Sequence, residues 1–214
     1  MRRLVHLVFS PPSRLARLML GEKRLVYDPQ PAEDPTAHMP VFTDLDGTVC
    51  EGLWAIVDHL ESSYPEQPLM PEDAAARGEA LRWLDWTMSA LADRVTKKII
   101  YEKANPRFTG GATRSTPDMN IIRSGREALR EILPILGKAV EEHGSLAARV
   151  CTIADLALAA HLSALDYFGE VPWDGNAAIR EWYVRMKSRP SFRSLLADRV
   201  PGQPPVSHYA ELDF

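Results

Sequence analysis

Few side chains in this sequence are placed to do chemistry. Cys50 stands immediately before Glu51 at the start of a predicted helix, where a helix dipole lowers a thiol pKa and favours the nucleophilic thiolate. A small buried hydrophobe is the commoner use of such a residue, and the structural role is preferred. His6, His38, His59, His143, His161 and His208 are scattered without the close spacing of metal ligands, so no metal site and no cofactor is expected. Ser10, ahead of Pro11-Pro12-Ser13, reads as a loop or capping serine, with Ser13 able to cap the helix that follows. Binding is better represented than catalysis. The segment Asn105 to Asp118 joins two predicted helices over more residues than a bundle needs. Its Arg107, Phe108 and Arg114 can meet an acidic partner, the plainer alternative being a mobile surface loop. The last residues, Pro201 to Phe214, follow the predicted helical core and open on prolines that stop a helix. Their end, with His208, Tyr209, Glu211, Leu212, Asp213 and Phe214, alternates aromatic, acidic and aliphatic residues as a docking peptide does.

The elements that must position these residues follow from periodicity. Leu4 to Phe9 is a β-type run, and Ser13 to Leu20 places Leu15, Leu18 and Met19 on one helical face before Gly21. Arg24 to Tyr27 suits a second strand, and the proline-rich stretch Asp28 to Met39 reads as loop. Two short strands turning at Asp46-Gly47 and a helix over Leu53 to Leu60 complete a β-α-β-β-β-α unit in a reduced thioredoxin-like order. The fold class is therefore an α/β N-terminal thioredoxin-like domain, residues 1–61, followed by an all-helical domain, residues 72–200. A linker over residues 62–71 contains three prolines, and residues 201–214 form an interaction tail. In the helical part, Leu81, Leu84, Met88, Leu91 and Val95 step along one face, with Arg94, Lys97, Lys98 and Lys103 on a solvated face. Ile122, Leu129, Ile132, Leu133 and Leu136 mark another helix. Thr152-Ile153-Ala154-Asp155 has capping-box spacing ahead of an apolar helix, with Cys151 and Leu156 placed to staple it. Trp54, Trp83, Trp86 and Trp182 suit core or subunit-interface packing.

Composition excludes several classes. With 214 residues, 45% of them hydrophobic, the chain can bury a real core. A net charge of −4 without a long basic run gives nucleic acid or acidic lipid little to hold. Two cysteines in different segments fit a reducing cytosol. The run Leu4 to Phe9 after Met1-Arg2-Arg3 is too short for a signal peptide, contains His6 and stops at Pro11-Pro12, so no export is expected. The apolar stretch Leu146 to Phe168 is broken by Arg149, Asp155, His161 and Asp166, so no membrane insertion is expected either.

Met39 to Leu60 orders an X-Pro dipeptide, a hairpin and a helix begun after Glu51-Gly52. This order resembles the glutathione-binding half of glutathione S-transferases, where a proline taken as cis opens a strand and a Glu-Ser pair starts the next helix. The capping box resembles the folding signal of that family's helical domain. Ile179, Trp182 and Met186 followed by Arg189-Pro190-Ser191-Phe192 resemble its penultimate helix and stop, so the resemblance covers about residues 1 to 198. It makes Ser10 the positional match of the hydroxyl or thiol near the glutathione sulfur, and Met39, Pro40, Glu51 and Gly52 the remnant of the glutathione site. Gly52 lacks the hydroxyl that would hold the γ-glutamyl carboxylate, and Asp28 to Met39 is too short for the helix usual there. The resemblance thus implies a degenerate, non-enzymatic scaffold with Ser10 vestigial. The alternative is a transferase that conjugates glutathione to a small electrophile, with Ser10 orienting the thiolate. A body of this kind ending in Tyr-Ala-Glu-Leu-Asp-Phe is similar to α-proteobacterial cell-division members of the superfamily. That similarity implies a cytoplasmic homodimer at the division site, joined through the hairpin and the first helices of the helical domain. It would bind polymers of the tubulin homologue FtsZ, bend or bundle them, and signal through its C-terminal tail to septal wall-synthesis enzymes.

Overall fold

A computed structural model describes residues 1–33, 38–111 and 116–212. Strand β1 (Arg2–His6) alternates, with Leu4 and His6 buried and Arg3 exposed. It ends earlier than the apolar run suggested. Leu7 to Ser10 turn instead, through a hydrogen bond from the Ser10 amide to the Leu7 carbonyl (3.2 Å), and stay buried because the helical part covers them. Helix α1 (Pro11–Glu22) begins on the two prolines, which need no amide partner in a first turn. Ser10 occupies the cap position, while the Ser13 hydroxyl accepts from the Leu7 amide (3.1 Å), so Ser13 ties down the preceding turn rather than capping the helix.

The second strand is displaced from its expected place. β2 spans Tyr27–Pro31, sharing only Tyr27 with the expected strand and otherwise lying in the stretch read as loop, and pairs in parallel with β1. Proline is tolerated there because β2 lies at the edge of the sheet, whose order is β2-β1-β3-β4. β3 (Val41–Thr43) and β4 (Val49–Glu51) form the antiparallel hairpin. Its turn closes through Asp44 and Thr48, whose backbones bond at 2.9 Å, with Gly47 at φ +87°. Helix α2 (Leu53–Ser63) follows and buries Leu53, Ile56, Val57 and Leu60.

Helix α3 (Ala74–Trp86) runs without a break through a π-helical stretch (Thr87–Thr96) into α4 (Lys97–Lys103). At the end of the π stretch the buried Thr96 hydroxyl meets His161 Nδ1 at 2.8 Å. Helix α5 (Met119–His143) is longer than its apolar pattern, and Pro134 within it faces solvent. Every residue of α6 (Ile153–Tyr167) is buried, as an all-round apolar helix at the centre of a bundle must be. The capping box closes from its acidic side. Asp155 accepts from the Thr152 amide (2.9 Å) and hydroxyl (3.0 Å), the Leu146 amide (2.9 Å) and the Trp182 indole (3.2 Å). Helix α7 (Ala177–Lys187) leads through a 3-10 turn (Pro190–Phe192) to the short α8 (Arg193–Leu196).

The sheet unit and the helical part share one apolar core, with α1 against α6 and the 190–192 turn. The approach of α1 is close. A Cβ on Gly21 would lie 2.8 Å from the Ser191 Cα, and Glu22 takes a bidentate pair from Arg189 (2.7 Å twice). Among the described residues no helix is long and apolar enough to cross a membrane.

Candidate functional site

The residues matched to a glutathione site converge on the end of the sheet, but with little chemistry. Ser10 is buried, its carbonyl engaged by the Arg14 amide (2.9 Å), and its hydroxyl bonds to none of the described residues. The neighbouring Phe9 amide donates to the Phe108 carbonyl (2.9 Å), and the Phe9 ring packs against Phe108, Tyr167 and Phe168. The 3-10 turn Pro106–Phe108 is therefore laid against the place where a thiolate would be activated. Among the described residues no base is hydrogen-bonded to the Ser10 hydroxyl.

The Met39-Pro40 peptide is cis, as the resemblance implied, and the Pro40 carbonyl accepts from the Gly52 amide (2.9 Å). Gly52 caps α2 at φ +81°, a conformation that an L side chain resists, although a Cβ there would meet open space. Glu51 is exposed on the edge strand. Burial raises the Cys50 thiol pKa, and the carboxylates of Asp44 and Asp46 raise it further, the reverse of what a nucleophile needs. Ser10, Met39, Pro40, Glu51 and Gly52 line none of the clefts at Asp174, Tyr101, Met70, Trp83 and Pro134. Among the described residues no group of three or more His, Cys, Asp or Glu is arranged to hold a metal.

A more substantial feature is a cleft of about 410 Å³ between the Asn105 segment and the C-terminal stretch, lined among others by Tyr101, Lys103, Asn105, Phe108, Pro117 and Gln203. Asn105 starts the turn by accepting from the Arg107 amide (3.0 Å). Arg107 is exposed, whereas Phe108 is half-buried against the core; Arg114 lies outside the described residues.

The expectation of a free tail is corrected as far as Ala210. Residues 207–210 form a 3-10 turn seated on the body, and Tyr209 is 0% exposed. Its hydroxyl donates to the Leu195 carbonyl and accepts from Arg14 Nη1, both at 3.0 Å, while its ring meets Tyr167 edge-on. Arg14 is fully buried and also donates to the Val8 carbonyl, Ser163 and Asp198; Arg17 makes a paired contact with the same Asp198 (2.8 and 3.0 Å). His208 Nε2 lies 3.1 Å from Asp166. Glu211 and Leu212 are exposed, and Asp213 and Phe214 lie outside the described residues. The sequence carried one overlooked signal for this network, two arginines three apart on an otherwise apolar helix face.

Two apolar surfaces lie where Trp54, Trp83 and Trp86 were expected to serve core or subunit-interface packing. Leu45, Val49 and Trp54 are 63%, 56% and 51% exposed around the hairpin and the start of α2. A groove of about 430 Å³ between α3 and α5 is lined by Trp83, Trp86, Ile132 and Ile135, with Arg82 and Arg94 at its rim.

No family model matches the chain. FtsZ-localized protein A of Caulobacter vibrioides is 40% identical over an alignment covering 100% of this chain and 98% of that protein. The structure of FzlA from C. crescentus superposes with a TM-score of 0.92 at 38% identity, covering 100% of this chain and 99% of that one. A glutathione S-transferase from Rhodospirillum rubrum F11 superposes with a TM-score of 0.93 at 36% identity, covering 100% of both chains. The chain belongs to the family of FtsZ-localized protein A, built on the glutathione S-transferase fold.

Proposed function

We propose that this protein is a non-enzymatic cell-division factor that binds FtsZ polymers, working in the cytoplasm at the division site. The observation that carries this reading is the 40% identity to FtsZ-localized protein A along the whole chain. A Ser10 hydroxyl with no hydrogen-bonded base among the described residues, the 3-10 turn laid beside it and a glycine at position 52 support a scaffold rather than a catalyst. The exposed Leu45, Val49 and Trp54 and the groove at Trp83, Trp86 and Ile135 offer two apolar surfaces that two copies can exchange about a twofold axis. A dimer presents two FtsZ-binding faces. Two sites per particle raise the effective concentration on a filament, so modest single-site affinity suffices to bend or bundle polymers. The cleft at Asn105, Phe108 and Pro117, with Arg107 beside it, is the FtsZ-facing candidate, and the end of the chain, where Glu211 and Leu212 are exposed, is the candidate link to septal wall-synthesis proteins.

Co-sedimentation with FtsZ assembled in GTP, with the polymers imaged in parallel, tests the reading. Pelleting with altered filament curvature or bundling is expected, and retention in the supernatant at micromolar concentrations overturns it. The second reading, a glutathione transferase, is favoured by the 36% identity to the Rhodospirillum rubrum protein. It requires heat of glutathione binding in calorimetry and measurable conjugation of a small electrophile.

A further inference from the structure

We propose that residues 200–210 form a strap that couples the cleft beside Asn105 to the release of the chain's end. At the cleft, Gln203 reaches across with both ends of its amide. Nε2 donates to the Lys103 carbonyl (2.8 Å), and Oε1 accepts from the Asn105 amide (3.1 Å). The middle of the strap is fastened to α6 by one tyrosine. The Tyr167 hydroxyl donates to the Gln203 carbonyl (2.7 Å) and accepts from the Val200 amide (3.1 Å), while the Tyr167 carbonyl accepts from the Val206 amide (3.1 Å). Val206 sits directly over Gly169, where a Cβ would come within 2.9 Å of its side chain. The far end is the buried Tyr209 between Arg14 and the Leu195 carbonyl.

Pro204 and Pro205 lie between the two ends. Their fixed φ makes this stretch a stiff spacer, so a shift at Gln203 is passed along rather than absorbed. Gln203 is the half-buried, replaceable fastening that lines the cleft, since anything lodged there that uses the Lys103 carbonyl or the Asn105 amide displaces it. Losing that fastening weakens the seat of Tyr209, and freeing Tyr209 lengthens the reach of the residues beyond it. The biological use of this coupling rests on the cleft being the partner-facing site proposed above. The coupling itself needs no partner.

Hydrogen exchange on the full chain tests it in both directions. Gln203→Ala is expected to speed exchange of the Val206 and Tyr209 amides about tenfold relative to α6 amides, because docking and the cleft fastening share one equilibrium. Reciprocity requires Tyr209→Phe, which keeps the ring and removes both hydroxyl contacts, to speed exchange at Asn105. Taking the ratio to α6 amides separates strap opening from a global loss of stability. Strap amides of Gln203→Ala that keep their ratio, or an Asn105 amide unmoved by Tyr209→Phe, overturn the coupling. Because neither arm contains FtsZ, failure here is distinct from failure of the sedimentation experiment.

Discussion

Asp44 sits at the hairpin turn and is 6% exposed, yet it accepts from Arg2 Nε (2.9 Å), the Tyr64 hydroxyl (2.6 Å), the Leu45 amide (2.7 Å) and a 2.7 Å contact with His59 Nε2. Burial alone would push its carboxyl up, but Tyr64, His59, the Leu45 amide and Arg2 outweigh it and hold the pKa at about 2. A carboxyl depressed in the folded state stabilises fully above its unfolded pKa of about 4, and that contribution disappears as pH falls through about 2. Urea unfolding should therefore show Asp44→Asn less stable than the parent by about 2 kcal/mol at pH 5, with the gap closing toward pH 2. At the same scale, Gly52→Ser places a side chain at φ +81°, which costs about 1–3 kcal/mol. The serine is expected to lower the melting temperature and leave calorimetry with glutathione silent. Gly52 was legible from sequence because its neighbours fix the frame in which a serine is expected. Asp44 was not, since its partners are spread over positions 2 to 64.

Elements whose partners lie close in sequence could be read, and those held by distant partners could not. The capping box at Thr152 spans four residues, so the start of α6 was evident, whereas the Leu146 amide and the Trp182 indole that complete it come from outside the motif. Asp155→Ala leaves these donors unmet, and the expected loss is about 3 kcal/mol, measured by thermal or denaturant unfolding. The packing of α1 on the 190–192 turn is equally invisible in local pattern. Gly21→Ala forces a methyl into the Ser191 backbone and should destabilise by about 1–3 kcal/mol. β2 was misplaced because its prolines signal loop unless the edge position of the strand is known. The seated tail was missed for a like reason, Tyr209 finding Arg14 195 positions earlier in the chain.

For the whole molecule, the order of strands and helices was readable because alternation and helical spacing are local, while which apolar residues stay exposed depends on the complete fold. If the hairpin and the α3–α5 groove join two copies as proposed, Trp54→Glu and Ile135→Glu should each shift sedimentation from dimer to monomer while leaving helical circular dichroism intact. An unchanged dimer in both variants would place the contact elsewhere. The edges of the sheet carry a different consequence. β2 is interrupted by Pro29 and Pro31, and β4 on the opposite side is only three residues long. Neither edge offers a run of amides on which another chain can build. Copies brought close together can therefore touch through side chains without zipping their backbones into fibrils, which makes the sheet a poor seed for amyloid.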